Sequence, residues 1–186
     1  MNVEQRIAAS PERIWAALND VNMLKACIPG CESLEVTGDN TFAAKVVTKI
    51  GPVKAKFEFV VTLTNLNPPT SYTINAKGQG GAAGFANGSA DVSLRPDGNE
   101  TILAYQAKAQ IGGKLAQLGS RLVDATAAKL AGEFFDTLNM MLSKEQLDRS
   151  QPGVPEHARV NLLPVWVSLL LLGLVAMAGL LFALSR

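Results

Sequence analysis

Alternation of apolar and polar residues dominates the middle of the chain. Phe42, Ala44, Val46, Thr48 and Ile50 fall on one side of an extended segment, with Lys45 and Lys49 on the other. After Gly51-Pro52, Val53, Ala55, Phe57, Phe59, Val61 and Leu63 repeat the pattern, with Lys54, Lys56 and Glu58 opposite. Two runs of period two joined by a two-residue break predict a β-hairpin. Asn67-Pro68-Pro69 forces the next connection. Tyr72, Ile74 and Ala76 then predict a strand, as do Ala90, Val92 and Leu94 after a glycine-rich segment. Pro96-Asp97-Gly98-Asn99 is a strong turn, and Leu103, Tyr105, Ala107, Ala109 and Ile111 make a last strand.

Helical signals flank this sheet. A short strand at Asn2–Ala8 comes first, then Ser10-Pro11-Glu12 starts a helix with a cap, a first-turn proline and an acid. Ile14, Trp15 and Leu18 mark its apolar face. Val21, Leu24 and Ile28 mark a second helix, stopped by Pro29-Gly30; from Cys31 the period changes to two. Gly112-Gly113 ends the sheet, and Leu115, Leu118, Leu122, Ala125, Leu130, Phe134, Leu138 and Met141 predict one long helix over 114–142. Strands exposing one polar face must bury the other against something, and only this helix is long enough. The prediction is an α+β helix-grip architecture over residues 1–145: a curved antiparallel sheet wrapped on a long C-terminal helix.

Beyond Lys144 the sequence turns polar and loses periodicity, predicting a linker over 146–161. Residues 162–184 contain no charge. Twenty-three residues give roughly 34 Å of helix against ~30 Å of bilayer hydrocarbon, so this stretch predicts a transmembrane anchor. Lys144, Arg149, His157 and Arg159 precede it and only Arg186 follows. That bias, and an N-terminal MNVEQRIAASPERIW without basic or apolar runs, predicts a tail anchor in the inner (cytoplasmic) membrane, the domain facing the cytoplasm.

Composition narrows the chemistry. A net charge of +1 over 186 residues predicts no bulk attraction to nucleic acid. The single histidine, His157, lies in the predicted linker, which leaves the domain without a Ser-His-Asp or Cys-His arrangement or a His-rich metal site. Cys27 and Cys31 offer two ligands at most; a packed pair of thiols, a redox-sensitive disulfide and a metal pair all remain open. The expectation is no catalytic residue, no metal and no covalent cofactor. Gly78–Gly84 lacks the Gly-Lys-Ser/Thr ending and following helix of a phosphate loop and reads as a flexible hairpin tip or a rim that a partner approaches.

Three segments carry a resemblance: LKACIPGCESLE (24–35), IGPVKAKFEF (50–59) and GGKLAQLGSRLVDATAAKLAGEFF (112–135). With the strand and helix order they resemble the family of the G subunit of carbon monoxide dehydrogenase, within the START/Bet v 1-like (SRPBCC) superfamily, over residues 1–145. The resemblance implies a non-catalytic adaptor that recruits a molybdenum hydroxylase, such as carbon monoxide dehydrogenase, to the inner membrane. It also implies a quinone (ubiquinone or menaquinone) held in an apolar cup, coupling the enzyme to the respiratory chain. A membrane-tethered lipid or isoprenoid carrier without an enzyme partner is the alternative.

Small inward residues, Ala44, Ala55, Ala76, Ala90, Ala107 and Ala109, leave room inside such a cup. Its expected walls are Trp15, Leu24, Phe57, Phe59, Tyr72 and Ile74 from the first helices and strands. Leu103, Tyr105, Leu118, Leu122, Phe134 and Leu138 complete them from the last strand and long helix. Gly80, Gly81, Gly84 and Phe85 are candidates for a partner-facing rim, and Lys45, Lys49, Lys54 and Lys56 for a membrane-facing basic patch.

Overall fold

The structure is a computed structural model that describes residues 2–150. Its order is β1 (Asn2–Ile7), α1 (Pro11–Leu18), α2 (Val21–Cys27), β2 (Cys31–Gly38), β3 (Thr41–Ile50), β4 (Val53–Asn67), β5 (Ser71–Gln79), β6 (Phe85–Asp97), β7 (Glu100–Gly112) and α3 (Ser120–Ser150). The strands form one antiparallel sheet in the order β1-β7-β6-β5-β4-β3-β2. The fold is α+β and helix-grip-like, with α1 and α2 inserted between the two edge strands. The predicted transmembrane segment 162–184, and the linker beyond Ser150, lie outside the described residues. No helix among the described residues is long and apolar enough to cross a membrane.

Local chemistry sets the element ends. Ser10 caps α1 by accepting from the Arg13 amide, and Pro11 occupies its first turn, where no amide is missed. Asp20 caps α2, accepting from the amides of Asn22 and Met23 at 2.7 and 2.9 Å. That helix buries Met23 and Cys27, while Leu24 and Ile28 are only half-buried. β2 is a separate edge strand that the alternation did not resolve. Of its side chains only Leu34 is buried and Val36 is 62% exposed, so it carries little of a two-faced pattern.

The long helix departs most from expectation. Gly113–Leu118 is a 3-10 turn, the chain turns at Gly119 with φ of 85°, and α3 begins only at Ser120. It then runs to Ser150, past the predicted domain end, because Glu145, Gln146 and Leu147 are good helix formers.

Among the described residues two apolar clusters hold the sheet and helices together. The larger joins Ile7, Ile14, Leu18, Cys27, Leu63 and Leu103 to Phe135, Leu138 and Leu142 of α3. The smaller joins Ala55, Phe57, Ala83 and Leu115. α3 therefore grips unevenly. None of its side chains before Phe135 is buried, whereas Leu138 and Leu142 are almost fully covered. Arg13 fastens that second half, donating to the Leu142 carbonyl at 3.0 Å and pairing with Glu145.

Candidate functional site

Between the sheet and α3 lies a cavity of about 390 Å³. That is within the range of small-molecule sites, which run from about 300 to 1,000 Å³. Its floor comes from alternate residues of neighbouring strands. Leu63, Ile74, Ala90 and Ala107 are successive cross-strand partners from β4 to β7, and Tyr72, Val92 and Tyr105 form the parallel row beside them. Alanines at Ala44, Ala90, Ala107 and Ala131 stand where larger side chains would close the space. Leu24, Ile28, Leu34 and Phe42 wall one side, and Phe134 and Phe135 of α3 another.

Of the twelve residues expected to line a cup, Leu24, Tyr72, Ile74, Leu103, Tyr105 and Phe134 lie on this wall. The other six do not. Trp15 packs edge-on against Tyr72, ring centroids 5.3 Å apart, and supports the wall from behind. Leu138 is wholly enclosed in the larger cluster. Phe57, Phe59 and Leu118 belong to the smaller cluster, and Leu122 is 36% exposed, its methyl against Gly51 in the β3–β4 turn. The reason is distance. β4 spans 15 residues, about 50 Å at strand rise, so one face of it reaches two separate cores. Alternation assigns a residue to a face but not to a place along it. Ala55 likewise belongs to the smaller cluster, Ala76 is half-buried off the wall, and Ala109 is exposed.

Sequence reasoning also passed over Leu18, Leu34, Leu63 and Phe135 as wall residues. All are ordinary apolar positions whose only distinction is what they face.

The glycine-rich segment is a packing device rather than a loose tip. Gly78 lies within β5, and a Cβ there would fall 2.2 Å from the Phe59 ring; one at Gly80 would fall 2.5 Å from Phe57. Bare backbone is what lets the two rings lie flat over it. Gly81–Ala83 then forms a 3-10 turn that buries Ala83. Gly81 is exposed, Gly84 is half-buried with φ of 111°, and Phe85 begins β6 with its ring over Gly112.

The four lysines do lie on the outer face, but not as four free charges. Lys45 pairs with Glu58 at 3.6 Å and Lys56 with Glu32, while Lys49 and Lys54 are direct cross-strand neighbours. Cys27 is buried with its thiol 3.8 Å from the Met141 sulfur, and Cys31 is half-buried; both thiols are free and burial pushes both up, away from the reactive thiolate. Among the described residues no group of three or more His, Cys, Asp or Glu could hold a metal.

A family model for CoxG, the G subunit of carbon monoxide dehydrogenase, matches residues 4–143. Among solved structures, the chain is similar to a conserved protein from Geobacillus kaustophilus, with 32% identity, a TM-score of 0.73 and coverage of 77% of this chain and 94% of that one. A protein from Thermus thermophilus aligns at 18% identity and a TM-score of 0.56, covering 75% and 94% of the two chains. A Rhodobacter sphaeroides protein aligns at 20% and 0.54, covering 77% and 92%. At those identities the last two show the fold alone. No curated protein matches the chain.

Proposed function

The chain belongs to the CoxG family, that of the G subunit of carbon monoxide dehydrogenase, and from that premise we propose that it is a non-catalytic accessory protein that carries a quinone for a molybdenum hydroxylase of the carbon monoxide dehydrogenase type. Membership associates it with such an enzyme as an accessory component. The observation that carries the finer reading is the cavity: about 390 Å³, walled by aliphatic and aromatic side chains with no charged group among the described residues. A charged substrate would lose its hydration there without compensation, whereas an apolar ring and the start of an isoprenoid tail would not. Residues 162–184 are uncharged and almost wholly apolar, which supports anchoring at the inner membrane, the domain on the cytoplasmic side and within a linker's reach of the quinone pool. At the enzyme the bound quinone takes two electrons from the reduced hydroxylase and two protons from water, and the quinol returns to the bilayer.

The test uses membranes containing the partner hydroxylase and measures its substrate-dependent reduction of membrane quinone. Reduction should require this protein and should fall at least tenfold with Ala90→Leu/Ala131→Leu, which fills the cavity. Truncation after residue 160 should release the hydroxylase into the soluble fraction. Quinone reduction that is unchanged without the protein would sink the accessory reading. Reduction that survives the filled cavity would leave an adaptor that holds no quinone. Bound lipid with no co-purifying enzyme would favour a tethered carrier instead.

A further inference from the structure

Among the described residues eighteen side chains line the cavity, and only Tyr72 and Tyr105 of these carry a heteroatom. The two share one row of the sheet: Tyr72 pairs in register with Val92 on β6, and Val92 with Tyr105 on β7, so all three project to the same side. Each ring is fixed by a neighbour. Trp15 meets Tyr72 edge-on at 5.3 Å, and Phe135 stacks on Tyr105 at 5.8 Å with 24° between the planes. Tyr72 is only 6% exposed, and Tyr105 is half-buried. Burial pushes the pKa of both phenols up. Among the described residues Asn87 Oδ1 alone is a fully buried side-chain N or O without a partner, so each phenol oxygen keeps access to open space, where a ligand oxygen can accept from it in place of water.

We propose that the cavity selects an uncharged, largely apolar ligand bearing a neutral oxygen acceptor, and that the hydroxyls of Tyr72 and Tyr105 are the only side chains that read that oxygen. This rests on the cavity being the quinone site and adds the rule by which it chooses. Carbonyl and ether oxygens fit, because a phenol donates to them. Carboxylate and phosphate headgroups do not, because the wall offers no cation to replace their water. The site therefore takes a ring ketone or quinone from a membrane while excluding the far more abundant fatty acids and phospholipids. Both tyrosines act as specificity-determining residues; neither transfers a proton or electron.

Three ligands of one ring system separate the contributions: 1,4-naphthoquinone, naphthalene and 1-naphthoate. Their binding is measured by equilibrium dialysis against the full chain in lipid nanodiscs, with empty nanodiscs as reference. Naphthoquinone should bind best and naphthoate at least tenfold more weakly. Tyr72→Phe/Tyr105→Phe should lose about fivefold to tenfold for naphthoquinone, the worth of one net hydrogen bond, and should bind naphthalene as the unaltered chain does. Unchanged naphthalene affinity also shows that the doubly substituted cavity is intact. Equal binding of naphthoquinone by both proteins overturns the tyrosine rule while leaving the cavity as a quinone site. Naphthoate that binds as tightly as naphthoquinone overturns the exclusion of anions. Should none of the three bind, both this proposal and the quinone reading fall.

Discussion

Tyr72 illustrates how one side chain serves packing and electrostatics together. Its ring belongs to the larger core and braces Trp15, while its hydroxyl sits where water is scarce. Burial pushes the phenol from 10.0 up to about 12. In the unfolded chain the phenol ionises near 10, and in the folded protein it stays neutral until about 12. Its contribution to stability is therefore complete below pH 10 and is lost as pH rises from 10 to 12. The loss should be on the order of 2–3 kcal/mol. Ultraviolet titration is a direct check, since the chain has only two tyrosines. One phenolate should form near pH 12, and Tyr72→Phe should remove that step. An ordinary titration of both phenols near pH 10 would show that the site is wet. Thr101 makes a different use of burial: wholly enclosed, it donates to the Ala9 carbonyl at 2.7 Å and ties β7 to the exit of β1.

At the scale of elements, α3 is two helices in one. From Phe135 onward it is held by Leu138 and Leu142 in the core, by Arg13, and by the Met141–Cys27 sulfur contact. From Ser120 to Lys129 its side chains are mostly exposed, and Leu122 lies with a methyl against Gly51 of the β3–β4 turn. Local stability follows buried contact. Amides of residues 124–130 should therefore exchange with deuterium at least tenfold faster than those of 136–142. Ligand in the cavity should slow the first group more than the second, because Ala131 and Phe134 lie on its wall. Uniform exchange along the helix would mean that the grip is even and that the cavity opens elsewhere.

At the scale of the folded domain, a cavity set into the larger core, between sheet and α3, trades stability for capacity. Filling the cavity should reverse the trade. Ala90→Leu/Ala131→Leu adds about six apolar carbons to the cavity, at roughly 0.8 kcal/mol per buried methylene before the losses of imperfect fit. A net gain of about 1–3 kcal/mol in chemical denaturation is expected, together with loss of ligand binding. A variant less stable than the parent by more than about 1 kcal/mol would mean that the walls have no spare room. The small residues in this wall would then be structural necessities rather than space kept for a ligand.

Through alternation and turn residues, the sequence by itself assigned most strand residues to a side of the sheet and set the order of the elements. Alternation placed Tyr72, Ile74 and Tyr105 on one side of the sheet, and Ser10-Pro11 announced a helix. It also carried the resemblance to the family, through short segments around Pro29-Gly30, Gly51-Pro52 and Gly112-Gly113. It did not determine where along each face a residue would come to rest. Phe57 and Leu63 share a strand and a side, yet six residues of strand rise, about 20 Å, put them in different cores. The glycines of 78–80 spelled mobility in one dimension and proved to be seats for Phe59 and Phe57 in three. Whether an apolar residue fills a core or lines a cavity depends on what stands opposite it, and only the packed sheet and helix decided that.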